Sequence, residues 1–466
     1  MKKALFTLSI LAAFTGQSFA QLSGTYTSRL QFVLDSVCNR YHIKGTSAAV
    51  LVPGIGIWKG VNGIASPGHN VTSDMLFGIG SNTKTYMSCI MLKLQEMGKV
   101  NLDDTIGTWI QGWPNISGQI TIRQCMNHTS GLYSYTSNAD MNDSILADFT
   151  RIWKPEEVLS LVKAPLFAPG TNWSYSNTNY LIVGIIIKQI MAQPVNITLR
   201  DFIYTPQGLH NTILFTADAT TATIADPWSR NLGTTDLEDL ITTFGYSNNA
   251  LFSMASTAGA IMQTAEDNAI FWHQLISGNI INNTSVNQMF QFVHIGYSGV
   301  GAGRDIGYGL GIFRYQNYMN GHTIYTHGGT NVGYVNENMV DSVTGVAISV
   351  LTNQDSISNP DLMNDLEKAL HKVTITVSPT EVAEVSKPNL SVYPNPASNY
   401  IVVSLDNISH PAQLSIHDMN GKCLITHEIK ENKTTISTQE LIPGLYIVQL
   451  MNNGAVIADQ KIQVIR

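Results

Sequence analysis

A chain of 466 residues, 44% of them hydrophobic, is long enough to bury a large core and to form more than one domain. The formal net charge of -7 leaves no basic surplus to neutralise phosphates, which argues against nucleic acid as a main partner. Four cysteines in a chain of this length do not make a disulfide framework, and we expect them to be small buried hydrophobic residues.

The N-terminus has the three parts of a secretory signal peptide. Lys2 and Lys3 supply the positive charge, an apolar stretch covers Ala4–Phe14, and Ser18-Phe19-Ala20 is a small-residue cleavage site. A membrane anchor is the alternative, but it needs about 20 apolar residues and this stretch is shorter. We therefore predict a signal peptide over residues 1–20, an exported protein that is secreted or held at the cell surface, and no transmembrane segment.

Residues 21–376 mix helical periodicity with short strands. Apolar residues recur at i, i+3, i+4 and i+7 between Thr85 and Gly98, which predicts a helix with a glycine at its end. Helices between groups of strands indicate an α+β body. Three strands joined by turns that contain glycine or aspartate are predicted at Thr323–His327, Gly333–Met339 and Gly345–Leu351.

The composition changes after this body. Residues 377–387 form a polar stretch that is typical of a linker. Residues 388–466 then contain short alternating strands, which predict a small β-sandwich. The clearest of these strands are Leu390–Tyr393, Tyr400–Leu405, Gln413–His417 and Leu445–Leu450.

The first candidate for chemistry is the pair Ser81 and Lys84, which opens the predicted helix behind the strand-like Leu76–Gly80. Positions i and i+3 share a helix face, with Cβ atoms about 5–6 Å apart. A serine at a helix start is often only an N-cap, but the capping box places an acid three residues later, where this chain has lysine. The helix field and burial would lower the pKa of that lysine, as a base for an unactivated serine requires. The tetrad alone is weak evidence, because S-x-x-K arises by chance in most chains of this length.

Two more segments carry candidate groups. Tyr175-Ser176-Asn177 follows the turn at Pro169-Gly170 and precedes a helix; its phenol can shuttle a proton and its amide can bind a substrate amide. His327-Gly328-Gly329-Thr330 ends a strand, and its glycines let a substrate backbone approach closely. Taken alone, the first segment is better explained as a polar capping loop and the second as a tight hairpin turn.

In this order, the three segments resemble the motifs of class C β-lactamases and D-alanyl-D-alanine carboxypeptidases, in which S-x-x-K is combined with a K-T-G box. The resemblance covers about Ser23 to Val373. It implies the β-lactamase/transpeptidase-like fold: an antiparallel sheet flanked by helices, with a mostly helical subdomain and a cleft between them. Further stretches similar to the family are Phe77–Lys84, Gly98–Asp104, Ile120–Leu132 and Gly307–Gly311.

The resemblance also implies a role for each motif residue. Ser81 would attack a carbonyl to form an acyl-enzyme, and Lys84 and Tyr175 would take and return the proton. The backbone N–H groups of Ser81 and Thr330 would form the oxyanion hole. Asn177 would orient the acyl-side amide of the substrate.

One departure from the family pattern bears on the substrate. The triplet His327-Gly328-Gly329 lacks the threonine hydroxyl that helps to hold a carboxylate, and its histidine is largely neutral at pH 7. We therefore expect a peptidase or esterase that acts on small acyl or D-amino-acid substrates. A β-lactamase proper remains an alternative, as does a cell-surface binding protein with a retired hydrolase body. The twelve histidines show no metal-site spacing, so we predict no metal and no cofactor.

The tail resembles the C-terminal sorting domain of the type IX secretion system. Leu390–Pro396, Gly444–Val448 and Lys461–Arg466 carry that resemblance. It implies that the secretion machinery is a partner and that the tail takes no part in catalysis. A generic binding or adhesin sandwich is the alternative.

Overall fold

The chain divides into two compact units, Met1–Thr380 and Glu381–Arg466. The predicted signal peptide over residues 1–20 and most of the predicted linker lie outside the described residues. The computed structural model describes residues 22, 24–148, 150–230, 236–297, 305–319, 321–355, 362–377, 379, 390–405, 412–419, 422–452 and 455–465.

In the part of the first unit that the structure describes, ten strands form one antiparallel sheet. The strands of this unit, β1 to β15 in chain order, are Gly45–Val52, Gly56–Ser66, His69–Asn70, Phe77–Gly78, Thr212–Leu214, Trp228–Ser229, Glu238–Asp239, Ile261–Gln263, Val293–Tyr297, Asp305–Tyr308, Phe313–Met319, His322–Thr326, Gly329–Asn331, Tyr334–Asp341 and Ala347–Thr352. The order in the large sheet is β3-β2-β1-β15-β14-β12-β11-β10-β9, with β13 beside β14.

Helices cover both faces of this sheet. They are, as α1 to α13, Thr25–Tyr41, Thr83–Glu96, Ile122–Met126, Ala139–Ala147, Pro155–Leu159, Asn177–Met191, Val195–Leu199, Thr205–Gln207, Leu240–Phe244, Asn248–Ala255, Ala265–Ile276, Asn283–Met289 and Leu362–Thr376. Short 3-10 turns lie at Gly80–Asn82, Ile106–Thr108, Tyr135–Ser137 and Ser256–Ala258, and a π-helical turn lies at Arg200–Tyr204.

The central strands β1 and β15 are buried along their whole length. Alternate residues of β1 enter different cores: Ala48 and Val50 pack with α1 and α13, whereas Ala49 and Leu51 face the core that contains α11 and α2. A strand covered on both faces tends to be a continuous apolar run, which is why the stretch 48–52 shows no polar alternation.

Helix α2 is also buried, although its sequence has one apolar stripe. Its buried residues include polar ones on the other side of the helix, because α6, α7 and α12 pack around it. The predicted helix at Thr85–Gly98 is thus found at Thr83–Glu96. The segment from α2 to α10 carries only strands of two or three residues, and the predicted α+β fold with a mostly helical subdomain is confirmed.

The second unit is a small β-sandwich. Its strands, β16 to β22, are Leu390–Tyr393, Tyr400–Leu405, Ala412–Asp418, Cys423–Ile429, Lys433–Ser437, Gly444–Asn452 and Ala455–Val464. They form one sheet in the order β16-β17-β20 and another in the order β19-β18-β21-β22. Both sheets contribute to one core, in which Val403, Leu414 and Val448 are fully buried. The sandwich was predicted, but β19, β20 and β22 were not among the strands expected from the sequence.

All four cysteines are free. Cys38, Cys89 and Cys125 are buried, as expected, but the expectation is wrong for Cys423, which is exposed because it begins the edge strand β19. Across the described residues, no single helix has the length and apolar composition needed to cross a membrane. The adjoining segments Asn177–Met191 and Val195–Gln207 reach that length only together, and they are bent by 81°.

Candidate active site

Ser81 lies in the 3-10 turn that joins β4 to α2. Its Oγ atom is 2.8 Å from Nζ of Lys84, in agreement with the i, i+3 spacing. The sequence predicted that Ser81 begins the helix itself; instead the α-helix begins at Thr83. The tight turn nevertheless keeps the hydroxyl and the amine on the same side of the backbone.

Lys84 is fully buried, and within the described chain it forms no ion pair. Its amine donates a hydrogen bond of 2.7 Å to the carbonyl of Ala258 and otherwise contacts Ser81 Oγ. Burial lowers the pKa of Lys84 well below the ordinary value of 10.5. A buried amine without a carboxylate partner is more easily neutral, and a neutral amine can accept the proton of a serine hydroxyl.

Tyr175 covers the same amine: Lys84 Nζ lies 5.0 Å from the centre of the phenol ring. The hydroxyl of Tyr175 is buried, and none of the described residues lies in hydrogen-bonding geometry with it. Burial raises the pKa of this phenol above 10, although the nearby hydroxyl of Ser81 lowers it in part. The phenol is therefore protonated at neutral pH.

His128 holds the segment that carries Tyr175. Its Nδ1 atom accepts hydrogen bonds from Ser176 N (3.2 Å) and Asn179 Nδ2 (2.9 Å), and its carbonyl accepts one from Ser174 N (3.1 Å). The imidazole is 4.3 Å from the Tyr175 ring, centre to centre. Burial lowers the pKa of His128, so the ring is neutral with its proton on Nε2.

Two glycines bring the third motif against the serine. A Cβ atom on Gly329 would lie 2.0 Å from the carbonyl oxygen of Ile79 and 2.6 Å from Ser81 N. A Cβ atom on Gly80, where φ is +48°, would lie 2.6 Å from Thr330 N. Only glycine permits these approaches, and as a result the amides of Ser81 and Thr330 lie close together.

The neighbouring strand β14 holds the backbone of this motif in place. The backbone pairing with β14 is interrupted at residues 327 and 328, between β12 and β13. Asparagine side chains of β14 supply hydrogen bonds to the backbone carbonyls of this region. Asn338 Nδ2 donates to the carbonyl of His327 (2.7 Å), and Asn336 Nδ2 donates to the carbonyls of Gly329 (2.9 Å) and Ile79 (2.6 Å). The path of the triplet is therefore set by side chains outside it.

The imidazole of His327 is buried. Its Nδ1 is 2.8 Å from the carbonyl oxygen of Gly328, and its Nε2 is 3.0 Å from the hydroxyl of Tyr308. Burial, together with the nearby Lys84, lowers the pKa of His327 to about 3. The ring is consequently neutral at pH 7, with Nδ1–H donating to the carbonyl and Nε2 accepting from the phenol.

Ser81 and Thr330 line two adjoining cavities. One, of about 290 Å³, contains Asn177, whose Nδ2 donates to Thr136 Oγ1 (3.0 Å). The other, of about 300 Å³, contains Tyr175 and the His-Gly-Gly triplet. All the site residues predicted from the sequence thus lie around one serine. A larger cavity of about 710 Å³ beside α6 contains none of them.

Some neighbours of the site were not identified from the sequence. His128 lies inside a stretch that resembles the family, but no role was assigned to it. Asn336, Glu337 and Asn338 follow one another on the buried strand β14, and three polar residues in such a strand are the signal that was available. The asparagines contact the His-Gly-Gly triplet and, through Asn336, the distant Ile79, and the pattern gave no indication of these partners.

Comparison with known families agrees with this geometry. Residues 12–372 match the family described as Beta-lactamase. Residues 391–465 match the family described as Secretion system C-terminal sorting domain.

Among curated proteins, the chain is similar to Penicillin-binding protein 4 of Amycolatopsis lactamdurans, with 28% identity over 207 residues, which are 43% of this chain and 52% of the relative. It is also similar to a putative D-alanyl-D-alanine carboxypeptidase of Escherichia coli strain K12, with 30% identity over 152 residues, which are 30% of this chain and 34% of the relative. The matched stretches thus span about half and about a third of these relatives.

Among solved structures, a D-stereospecific amidohydrolase from Streptomyces sp. has 25% identity and a TM-score of 0.63, with 73% of this chain and 98% of that chain covered. The D-amino acid amidase of Ochrobactrum anthropi SV3 has the same fold, with 23% identity, a TM-score of 0.64 and coverage of 75% and 98%. The protein therefore belongs to the beta-lactamase family of serine hydrolases and carries a secretion sorting domain over residues 391–465.

Proposed function

We propose that the protein is an exported serine hydrolase that forms an acyl-enzyme on Ser81. Its proposed activity is that of a D-alanyl-D-alanine carboxypeptidase-like peptidase or an esterase on small acyl or D-amino-acid substrates. The observation that carries the proposal is the 2.8 Å contact between Ser81 Oγ and the buried amine of Lys84. The names of the relatives, a carboxypeptidase and a D-stereospecific amidohydrolase, support the substrate class.

In the first step, neutral Lys84 accepts the hydroxyl proton of Ser81 while Oγ bonds to the substrate carbonyl carbon. Tyr175 relays a proton to the leaving group, whose bond to the carbonyl carbon then breaks. Water then attacks the ester carbonyl carbon and gives a proton to Lys84; the bond between this carbon and Ser81 Oγ breaks, Oγ takes that proton back, and the acid is released. A tyrosinate form of Tyr175 is disfavoured as the base, because burial raises the pKa of this phenol. Lysine is therefore the base in our mechanism.

The negative charge that develops on the carbonyl oxygen needs fixed donors. We assign this role to the backbone N–H groups of Ser81 and Thr330, which the glycines Gly80 and Gly329 allow to lie close together. Loss of one such donor typically costs on the order of 10²–10³ in kcat.

The residues that line the two cavities support the proposed substrate class. Asn177 lines the first cavity, and we assign it to the acyl-side amide of the substrate. In the second, neutral His327 and the missing side chain at Gly328 offer no charge or hydroxyl to a carboxylate. We therefore expect slow turnover of penicillins, which carry such a carboxylate.

The direct test is covalent labelling. A fluorophosphonate probe should add its mass to Ser81 in the wild-type protein, and Ser81→Ala should remove the adduct. Ser398→Ala, at an exposed serine of the sandwich, is the matched control and should leave labelling unchanged. A folded wild-type protein without any adduct would refute the proposal and favour a retired binding protein.

A small substrate panel then separates the remaining activities. p-Nitrophenyl esters, D-Ala-D-Ala peptides, D-amino-acid amides and nitrocefin share an acyl carbonyl but differ in the leaving group. Turnover of the first three with slow nitrocefin hydrolysis is expected. Fast nitrocefin hydrolysis would instead identify a β-lactamase proper.

We also propose that the protein leaves the cell through the type IX secretion system, with residues 1–20 as the signal for the first membrane. The sorting-domain match over residues 391–465 supports this route. Deletion of residues 391–465 should retain the protein in the periplasm of a host that has the system. Secretion of the shortened protein at the normal level would refute the route.

A further inference from the structure

A carboxyl group occupies the place where a side chain at Gly328 would lie. A Cβ atom on Gly328 would be 2.5 Å and 2.6 Å from the two carboxyl oxygens of Glu337. The K-T-G box of the family has threonine at this middle position, and a threonine side chain would collide with Glu337 here. An acid therefore replaces a hydroxyl beside the triplet.

Glu337 faces the cavity that contains Ser81 and Tyr175, and it is one of the residues that line this cavity. Its side chain is partly exposed there. Burial by the surrounding protein raises its pKa to about 7, and no hydrogen bond or ion pair from the described residues offsets that burial. A carboxyl group without a partner, open to a cavity, can accept a ligand that brings a positive charge or N–H donors.

The other charged groups around Glu337 do not neutralise it. Glu367 of α13 is a second buried acid, held by a 3.0 Å hydrogen bond from the hydroxyl of Tyr318, and Glu337 raises its pKa further. Lys368 lies over the Tyr318 ring, 5.4 Å from its centre, and makes no ion pair within the described chain. The phenol of Tyr315 has its pKa raised by burial and by both acids. Raised pKa values favour the protonated, uncharged forms of Glu367 and Tyr315, so Glu337, which ionises above about pH 7, is the group that brings negative charge to this corner.

The cavity wall suits an organic cation. Phe313 and Tyr315 line it beside the neutral ring of His327, and the ring centres of Phe313 and His327 are 5.1 Å apart. Aromatic faces and a carboxylate together attract ammonium groups. Above about pH 7, where Glu337 is ionised, a substrate carboxylate would meet its like charge in the same space, at a considerable energetic cost.

We propose that Glu337 makes this cavity a leaving-group subsite that takes a cationic group and rejects a carboxylate. The inference rests on the proposed function: because Asn177 of the first cavity is assigned to the acyl side, the adjoining cavity that contains Glu337 receives the leaving group. The preferred substrates are thus esters or amides whose departing alcohol or amine carries an ammonium group.

The test uses three thioesters with one acyl group and different thiols: thiocholine, mercaptoethanol and 3-mercaptopropionate. The released thiol is measured with a disulfide reagent, which gives kcat/KM for a cationic, a neutral and an anionic leaving group. Above about pH 7, where Glu337 is ionised, the wild-type protein should prefer the cationic over the anionic ester on the order of 10- to 100-fold. Glu337→Gln should bring this ratio of cationic to anionic ester close to one.

Glu440→Gln makes the same chemical change at an exposed position of the sandwich and should keep the wild-type ratio. An unchanged ratio in Glu337→Gln, or a wild-type preference for the anionic ester, would overturn the inference.

A binding measurement separates this inference from the proposed function. Ser81→Ala retains the cavity without the nucleophile, and calorimetry with the same three thioesters gives their affinities. Tighter binding of the cationic ester, lost in the double variant Ser81→Ala/Glu337→Gln, supports the subsite even where the wild-type protein hydrolyses none of them. Equal affinities for the cationic and anionic esters refute it.

Discussion

Replacement of Gly329 by alanine should slow the acylation of Ser81 by about 10²–10³-fold, which is the usual effect of losing one oxyanion donor. The added Cβ atom would lie 2.0 Å from the carbonyl oxygen of Ile79. That is roughly 1.3 Å closer than an ordinary C···O contact of about 3.3 Å. The carbonyl cannot yield easily, because Asn336 Nδ2 holds it at 2.6 Å. The strand must therefore move away and carry the amide of Thr330 with it.

The assay is the second-order rate constant of labelling by a fluorophosphonate probe, measured beside the thermal unfolding midpoint. Gly444→Ala is the control, because a Cβ atom there meets nothing closer than 3.7 Å and φ is not left-handed. It should label at the wild-type rate. Wild-type labelling by a folded Gly329→Ala protein would show that the close approach of the strand is not needed for acylation.

Three further predictions follow from the pKa shifts and contacts. The acylation rate should follow the neutral fraction of Lys84, so it should rise with pH and be half-maximal well below pH 10.5. Lys84→Met should abolish acylation at every pH. A midpoint near pH 10.5 in the wild-type profile would contradict this. His128→Ala should lower kcat by about tenfold with little change in KM, since it releases the segment that carries Tyr175; steady-state kinetics on a p-nitrophenyl ester tests this, and an unchanged kcat would contradict it. Burial alone would raise the pKa of Asp341, but hydrogen bonds from two histidines hold it below its usual range. The contribution of ionised Asp341 to stability is therefore present above about pH 4 and is lost as the pH falls through its lower folded-state pKa. Asp341→Asn should accordingly unfold more easily than the wild type at about pH 7 and approach the stability of the wild type in acid. A stability difference between the two proteins that is the same at every pH would contradict this.

Much of the site follows from spacing within short segments. Ser81 and Lys84 lie one turn apart, so helical geometry alone predicts their contact, and the observed distance between Oγ and Nζ is 2.8 Å. Strands with regular alternation, such as Leu390–Tyr393 and Tyr400–Leu405, have the predicted limits. In these cases the information is local, and the structure adds little to it.

Other features depend on contacts between residues that are distant in the chain. The 3-10 turn before α2 forms where Gly80 lies against the strand that carries Thr330, some 250 positions later, and no local pattern indicates it. The sequence predicted a largely neutral His327 from its ordinary pKa, but the lowering of that pKa to about 3 follows from burial and from the nearby Lys84. Glu337 is similar: its relation to Gly328 depends on a break in the strand ladder, which the sequence does not reveal.

The asparagines of β14 separate two properties of the hydrolase. Because Asn336 and Asn338 hold the carbonyls of the triplet, the backbone path does not depend on which side chain stands at residue 328. Residue 328 and the acid beside it are thus free to change as a pair. Such an exchange alters which leaving groups are accepted while the geometry around the nucleophile is conserved. Leaving-group selectivity can therefore be engineered by changing residues 328 and 337 together.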